Sequence, residues 1–134
     1  MTTDELALDY FRRAKVRRQV LDLLHNAGEY ADVVREAQEL IERAMNGMLR
    51  WAGIDPPRWH DVGSVLIEHR GLLPAAIEPS LEAIVKASAR LRKEREAAFY
   101  GEIDLVPGRS YDLESAKLAM EWADLVLAAL QYFD

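Results

Sequence analysis

Between Tyr30 and Trp51, apolar residues return every three or four positions: Val33, Val34, Ala37, Leu40, Ile41, Ala44 and Met48. Polar and charged residues fill the gaps. This is the period of a helix that buries one face, and no other stretch of the chain keeps it so cleanly. Upstream, Leu6, Tyr10, Phe11, Ala14, Leu21 and Leu24 give a first helix its apolar face. Thr2 with Glu5 three residues on forms a capping box at its start, and Asn26-Ala27-Gly28 ends it. Gly53-Ile54-Asp55-Pro56-Pro57 is a break, because paired prolines cannot continue a helix. A short third helix runs from Asp61 to about His69, and Gly71 and Pro74 lead into a long fourth one beginning near Pro79. Ile77, Leu81, Ile84, Ser88, Leu91 and Ala98 make its stripe, and Gly101 is placed to stop it. After a loop over Glu102 to Tyr111, Asp112 is a suitable N-cap for a last helix, Leu113 to about Tyr132. No segment of useful length alternates with the period of a strand. The pattern predicts an all-α fold, an up-and-down bundle of four long helices plus one short helix, as one domain over residues 1–134.

Two departures from simple amphipathicity change this picture. The last helix is apolar on most sides, which predicts either a central position or a face shared with a second subunit, and hence a homodimer. Arg95 projects from within the stripe of the fourth helix, while Arg17 falls within the apolar face of the first helix and Arg13 at its edge. A guanidinium keeps its proton, so burial obliges it to find acceptors. For Arg95 these are either a carboxylate in a structural ion pair or a phosphate held in a cleft between helices. Tyr100 follows five residues later, about 140° around a straight helix. The two side chains therefore converge only if the helix ends near Phe99, or if they meet across a subunit boundary. Packing with a bonded hydroxyl is the plainer role for Tyr100.

Composition narrows the chemistry. The chain has 134 residues, half of them apolar, a net charge of −6 and no cysteine. Disulfides and thiolate metal sites are thereby excluded, and a reducing cytosol is compatible. His25, His60 and His69 show no metal-ligand spacing, and no Gly-rich phosphate loop or nucleophile elbow occurs, so neither metal nor cofactor is expected. The acidic start, Met1-Thr2-Thr3-Asp4-Glu5, lacks a signal-peptide layout, and no apolar run approaches the roughly 18 residues of a membrane span. A cytoplasmic protein with no membrane role is expected. The acidic balance argues against non-specific nucleic-acid binding by the whole surface, but Arg12 to Arg18 and Arg90 to Arg95 are locally basic. His60-Asp61-Val62-Gly63 opens a helix after two prolines. Its free N–H groups suit a phosphate, or else Asp61 or His60 simply caps the helix.

Taken together, Ala37-Gln38-Glu39-Leu40-Ile41-Glu42-Arg43-Ala44, the Gly53-x-x-Pro56-Pro57-x-x-His60-Asp61-Val62-Gly63 turn and the Arg95-to-Gly101 motif resemble those of a HEPN domain (higher eukaryotes and prokaryotes nucleotide-binding). The helix order and the alanine-rich last helix agree, so the resemblance covers nearly the whole chain. It implies a helical bundle that dimerises and, in many members, cleaves RNA without metal through an Arg-x(4–6)-His motif. Arg95 occupies the arginine position, and Tyr100 stands where the histidine would be. A phenol titrates near 10 and an imidazole near 6.5, so tyrosine is a poor general base at neutral pH. The resemblance also implies a small nucleotidyltransferase protein as partner in some members, where a tyrosine two places beyond the histidine is modified. Glu102 holds that place here.

The expectation is a homodimer that binds a nucleotide or RNA, with Arg95 foremost and Tyr100, Glu96, His60, Asp61, Arg17 and Arg13 beside it. Two other readings are open: a ribonuclease toxin of a toxin–antitoxin pair, with Arg95 and Tyr100 catalytic, and a non-enzymatic scaffold for a partner protein.

Overall fold

A computed structural model describes the backbone of residues 3–58, 61–100 and 111–133, and the side chains of 5–58, 61–93 and 111–133. Helices are α1 (Thr3–Asn26), α2 (Tyr30–Trp51), α3 (Val62–Glu68), α4 (Glu78–Tyr100) and α5 (Leu113–Ala129). Single 3₁₀ turns cover Arg70–Leu72, Ala75–Ile77 and Leu130–Tyr132. The fold is an all-α helical bundle, with no strand among the described residues.

The regular pattern of α2 is the reason it sits at the centre. Val33, Val34, Ala37, Leu40, Ile41, Ala44, Met45, Met48 and Leu49 are all buried, and α2 packs on each of the other four helices. The central place is thus not taken by the last helix. α5 buries Ala116, Ala119, Ala123, Val126 and Ala129 against the bundle and leaves Leu113 and Leu118 exposed. Glu114, Lys117, Glu121 and Asp124 occupy most of its exposed side, so a helix whose sequence is largely apolar still lies at the surface.

Two glycines end the first two helices. Gly28 and Gly53 take φ of +77° and +83°, where a Cβ would be strained. The Ile54 N–H donates to the Leu49 carbonyl at 2.9 Å and closes α2 in a Schellman turn. Asp61 and Asp112 cap α3 and α5, accepting from the Gly63 N–H at 3.0 Å and the Ser115 N–H at 2.9 Å. The expected Thr2–Glu5 capping box lies outside the described residues.

Two other glycines set how closely helices approach. A Cβ on Gly47 would stand 2.7 Å from the Phe11 ring and 3.0 Å from Tyr10 Cβ, so α1 presses directly on the backbone of α2. A Cβ on Gly63 would stand 2.8 Å from Val85, which brings α3 equally close to α4. Phe11 in turn packs on Phe133, and Phe133 meets Trp51 edge-on at 5.2 Å, closing that end of the core.

The arginines of α1 do not point inward as expected. Arg13 is exposed, and Arg17 is about two-fifths exposed, with Nη1 donating to Glu36 of α2 at 3.4 Å. The buried residues of α1 are Ala7, Phe11, Ala14 and Leu21, and the position their spacing leaves for a polar residue is Arg18. Arg18 binds Asp124 of α5 at 2.6 Å and Asp22 at 2.8 Å. The hydrogen bond to Asp124 raises its pKa above the ordinary guanidinium value.

Candidate functional site

The polar stripe of α2 lies opposite its buried one, and Glu42, Asn46 and Arg50 follow it at four-residue intervals. Neighbouring elements wall this stripe into an open cleft of about 610 Å³. α1 contributes Tyr10 and α4 contributes Arg92, while Pro56, Pro57, Arg58, Asp61 and Val62 close the end. The tight contacts at Gly47 and Gly63 position these walls. Tyr10 reaches the stripe because α1 touches Gly47, and Asp61 reaches Arg92 because α3 lies close on α4.

Arg92 is held by two carboxylates, with Nη2 3.3 Å from Glu42 and Nη1 3.3 Å from Asp61. The same Asp61 Oδ1 accepts the Gly63 N–H, and Asp61 Oδ2 accepts the Ser64 hydroxyl at 3.2 Å. Asp61 is therefore both the cap of α3 and an anchor for α4. Arg50 is held more loosely. Its guanidinium carbon stands 5.5 Å from the centroid of the Tyr10 ring, within cation–π range. Its nearest carboxylate, Asp55, is 3.8 Å away and fully exposed. Arg50 Nε and Asn46 Oδ1 are buried and have no hydrogen-bond partner. A buried polar atom without a partner costs free energy, on the order of 1–3 kcal/mol, so two in one cleft make it a candidate binding site.

This arrangement can hold negative charge: three guanidiniums line the cleft, and one donor and one acceptor of its lining residues are buried and unpaired. Among the described lining residues there is no imidazole to move a proton at neutral pH. No group of three or more metal-ligating side chains occurs among the described residues either.

Of the residues singled out from sequence, Asp61 lies in the cleft, where its oxygens serve the cap and Arg92. Arg13 and Arg17 lie on α1 outside the cleft lining. The side chains of Arg95, Glu96 and Tyr100, and all of His60, lie outside the described residues. The helical backbone of α4 runs to Tyr100, one residue past Phe99. Sequence reasoning missed Tyr10, Asn46, Arg50 and Arg92. Arg92 stands one turn before Arg95 in the same basic run, and Glu42-x-x-x-Asn46-x-x-x-Arg50 is a regular polar stripe; both were available signals.

No helix among the described residues is long and apolar enough to cross a membrane. A family model described as HEPN domain matches residues 7–132. No curated protein and no solved structure matches the chain.

Proposed function

Because the chain belongs to the HEPN domain family, we propose that it binds a nucleotide or RNA in the cleft between α1, α2 and α4, and that it does so as a homodimer. The observation that carries this reading is the pair of unpartnered buried atoms in the cleft, Arg50 Nε and Asn46 Oδ1. A phosphate oxygen is the natural acceptor for a guanidinium fork, and a ribose hydroxyl or base N–H is a natural donor to the amide oxygen. The Tyr10 ring beside Arg50 adds a flat surface on which a base can stack. Binding, rather than cleavage, is the role assigned, since tyrosine replaces the histidine of the family's Arg-x(4–6)-His motif at Tyr100. Arg95 is retained as the residue of that motif that would contact phosphate.

Dimerisation is supported by the outer face of α5. Leu118 is exposed there, and Trp122 and Leu125 line a groove of about 580 Å³ with Ala83 and Ala87 of α4, whose other walls carry Lys86, Arg90 and Lys93. A second copy covering this face removes it from water.

The test is titration of the protein with ADP and with fluorescein-labelled single-stranded RNA, for wild type and for Arg50→Met, which keeps the aliphatic stem. Saturable binding of either ligand, weakened about ten-fold or more in the variant, is the expected result. Absence of binding by the wild type, or equal affinity in the variant, refutes the assignment of the cleft. Sedimentation equilibrium yielding a monomer at micromolar concentration refutes the dimer.

A further inference from the structure

Two turns along α2 from Arg50 stands Arg43, and its surroundings are unusual for an arginine. Its Nη1 is buried and has no hydrogen-bond partner. The cations nearest in effect are Arg13 and Arg17 of α1. Glu36 does not neutralise this group, because it accepts from Arg17 at 3.4 Å and also faces Arg35 at 3.9 Å. Burial first, then the Arg17 and Arg13 charges, push the Arg43 pKa below the ordinary guanidinium value, outweighing the attraction of Glu39 and Glu36. Like charges gathered around a buried, unsatisfied donor are unfavourable unless an anion joins them.

We propose that Arg13, Arg17 and Arg43 form a second phosphate subsite further along the α1–α2 hairpin from the cleft, so that the ligand is a phosphodiester chain and not a single nucleotide. The inference rests on the nucleotide-binding reading of the cleft and deepens it. Arg43 and Arg50 are seven residues apart, which puts them on one side of α2 and about 10.5 Å apart along its axis. Adjacent phosphates of a nucleoside diphosphate share a bridging oxygen and cannot reach across that distance. Successive phosphates of a single strand can. The α1–α2 hairpin then acts as a track: Tyr10 and Arg50 at one end, Arg13 and Arg43 in the middle, and Arg17 beyond them.

The experiment compares a dinucleotide with octamers by fluorescence anisotropy, using labelled diuridylate, octauridylate and octathymidylate at several salt concentrations. The tighter octamer identifies the source of the chain as RNA or DNA. In the wild type, the octamer should bind about ten-fold or more tightly than the dinucleotide. Arg43→Met should remove most of that advantage while leaving the dinucleotide within about two-fold, and should lower the salt slope by about 0.7 for the lost phosphate contact. Arg13→Gln, a change at an exposed side chain, should weaken octamer binding in the same selective way and keeps the test valid should Arg43→Met unfold. Arg50→Met should weaken both ligands. If octamer and dinucleotide bind alike in the wild type, or if Arg43→Met and Arg13→Gln bind the octamer as the wild type does, the second subsite is overturned and the cleft reading survives. If no ligand binds at all, both fall.

Discussion

Replacing Gly47 by alanine tests the contact on which the cleft geometry depends. Non-bonded carbons rest about 3.5–4.0 Å apart. The new Cβ would meet Phe11 Cε1 at 2.7 Å, Phe11 Cδ1 at 2.9 Å and Tyr10 Cβ at 3.0 Å. The overlap is therefore roughly 1 Å at the worst contact. Phe11 is only 3% exposed and its ring lies 5.4 Å from that of Phe133, so it has no free space to turn into. Tyr10 Cβ is fixed by the backbone of α1. The strain must be relieved by moving α1 off α2. Overpacking of this kind costs about 1–3 kcal/mol, and rigid neighbours place this case in the upper half. Alanine in a helix interior returns about 1 kcal/mol relative to glycine. We expect a net loss of about 1–2 kcal/mol, read as a lower urea midpoint at unchanged slope. Gly71→Ala is the control, since a Cβ there meets nothing within 4 Å; its midpoint should hold or rise slightly. A Gly47→Ala protein as stable as the wild type would refute the account of the α1–α2 contact.

Two other substitutions probe single atoms. Ser88 is 1% exposed and its Oγ has no partner, so Ser88→Ala removes a buried unsatisfied hydroxyl and should stabilise the protein by about 1 kcal/mol; a loss of stability in urea titration would mean that the hydroxyl is bonded after all. The Asp112 carboxylate is held below its ordinary pKa by the Ser115 N–H and hydroxyl, so it binds fewer protons in the folded than in the unfolded chain. Its contribution is present above about pH 3.9 and is lost as the pH falls through the lower folded value. Asp112→Ala should therefore narrow the difference between urea midpoints at pH 5 and pH 2.5, and an unchanged difference would remove Asp112 as a source of acid sensitivity.

How much of this was legible beforehand differs between fold and site. α2 declared itself because its buried and polar stripes are both complete, and Asp61 and Asp112 announced caps that formed as expected. The arginines of α1 were harder. That helix borders α2 on one side and α5 on the other, so its buried face is wide, and a helical wheel does not say whether Arg17 or Arg18 lies in the seam. The α5 contacts decide for Arg18, because Asp124 is there to receive it. The cleft was hardest to foresee. Glu42, Asn46 and Arg50 make an ordinary solvent-facing stripe until a second helix walls it in. What brings the walls close is Gly47 and Gly63, and a glycine within a helix carries no sign of what will press on it. Arg92 likewise read as one more charge in a basic run, since its two carboxylates lie on α2 and at the start of α3.

The connection between α1 and α2 has a consequence in time. Only Ala27-Gly28-Glu29 separate the two helices, and they form the most extensively packed pair in the molecule. Closing so short a loop costs little chain entropy, whereas docking α5 on α2 closes a loop of some sixty residues. The hairpin is thus the part of the native structure most cheaply assembled in the folding transition state, and α5 the part best suited to arrive afterwards. Weakening the α1–α2 seam, as Gly47→Ala does, should slow refolding. Weakening the α5 seam, as at Ala123, should leave refolding nearly unchanged and shorten the lifetime of the folded molecule. The residence time of the native state is then governed by the last helix, while the polar track on the hairpin belongs to the portion that forms first.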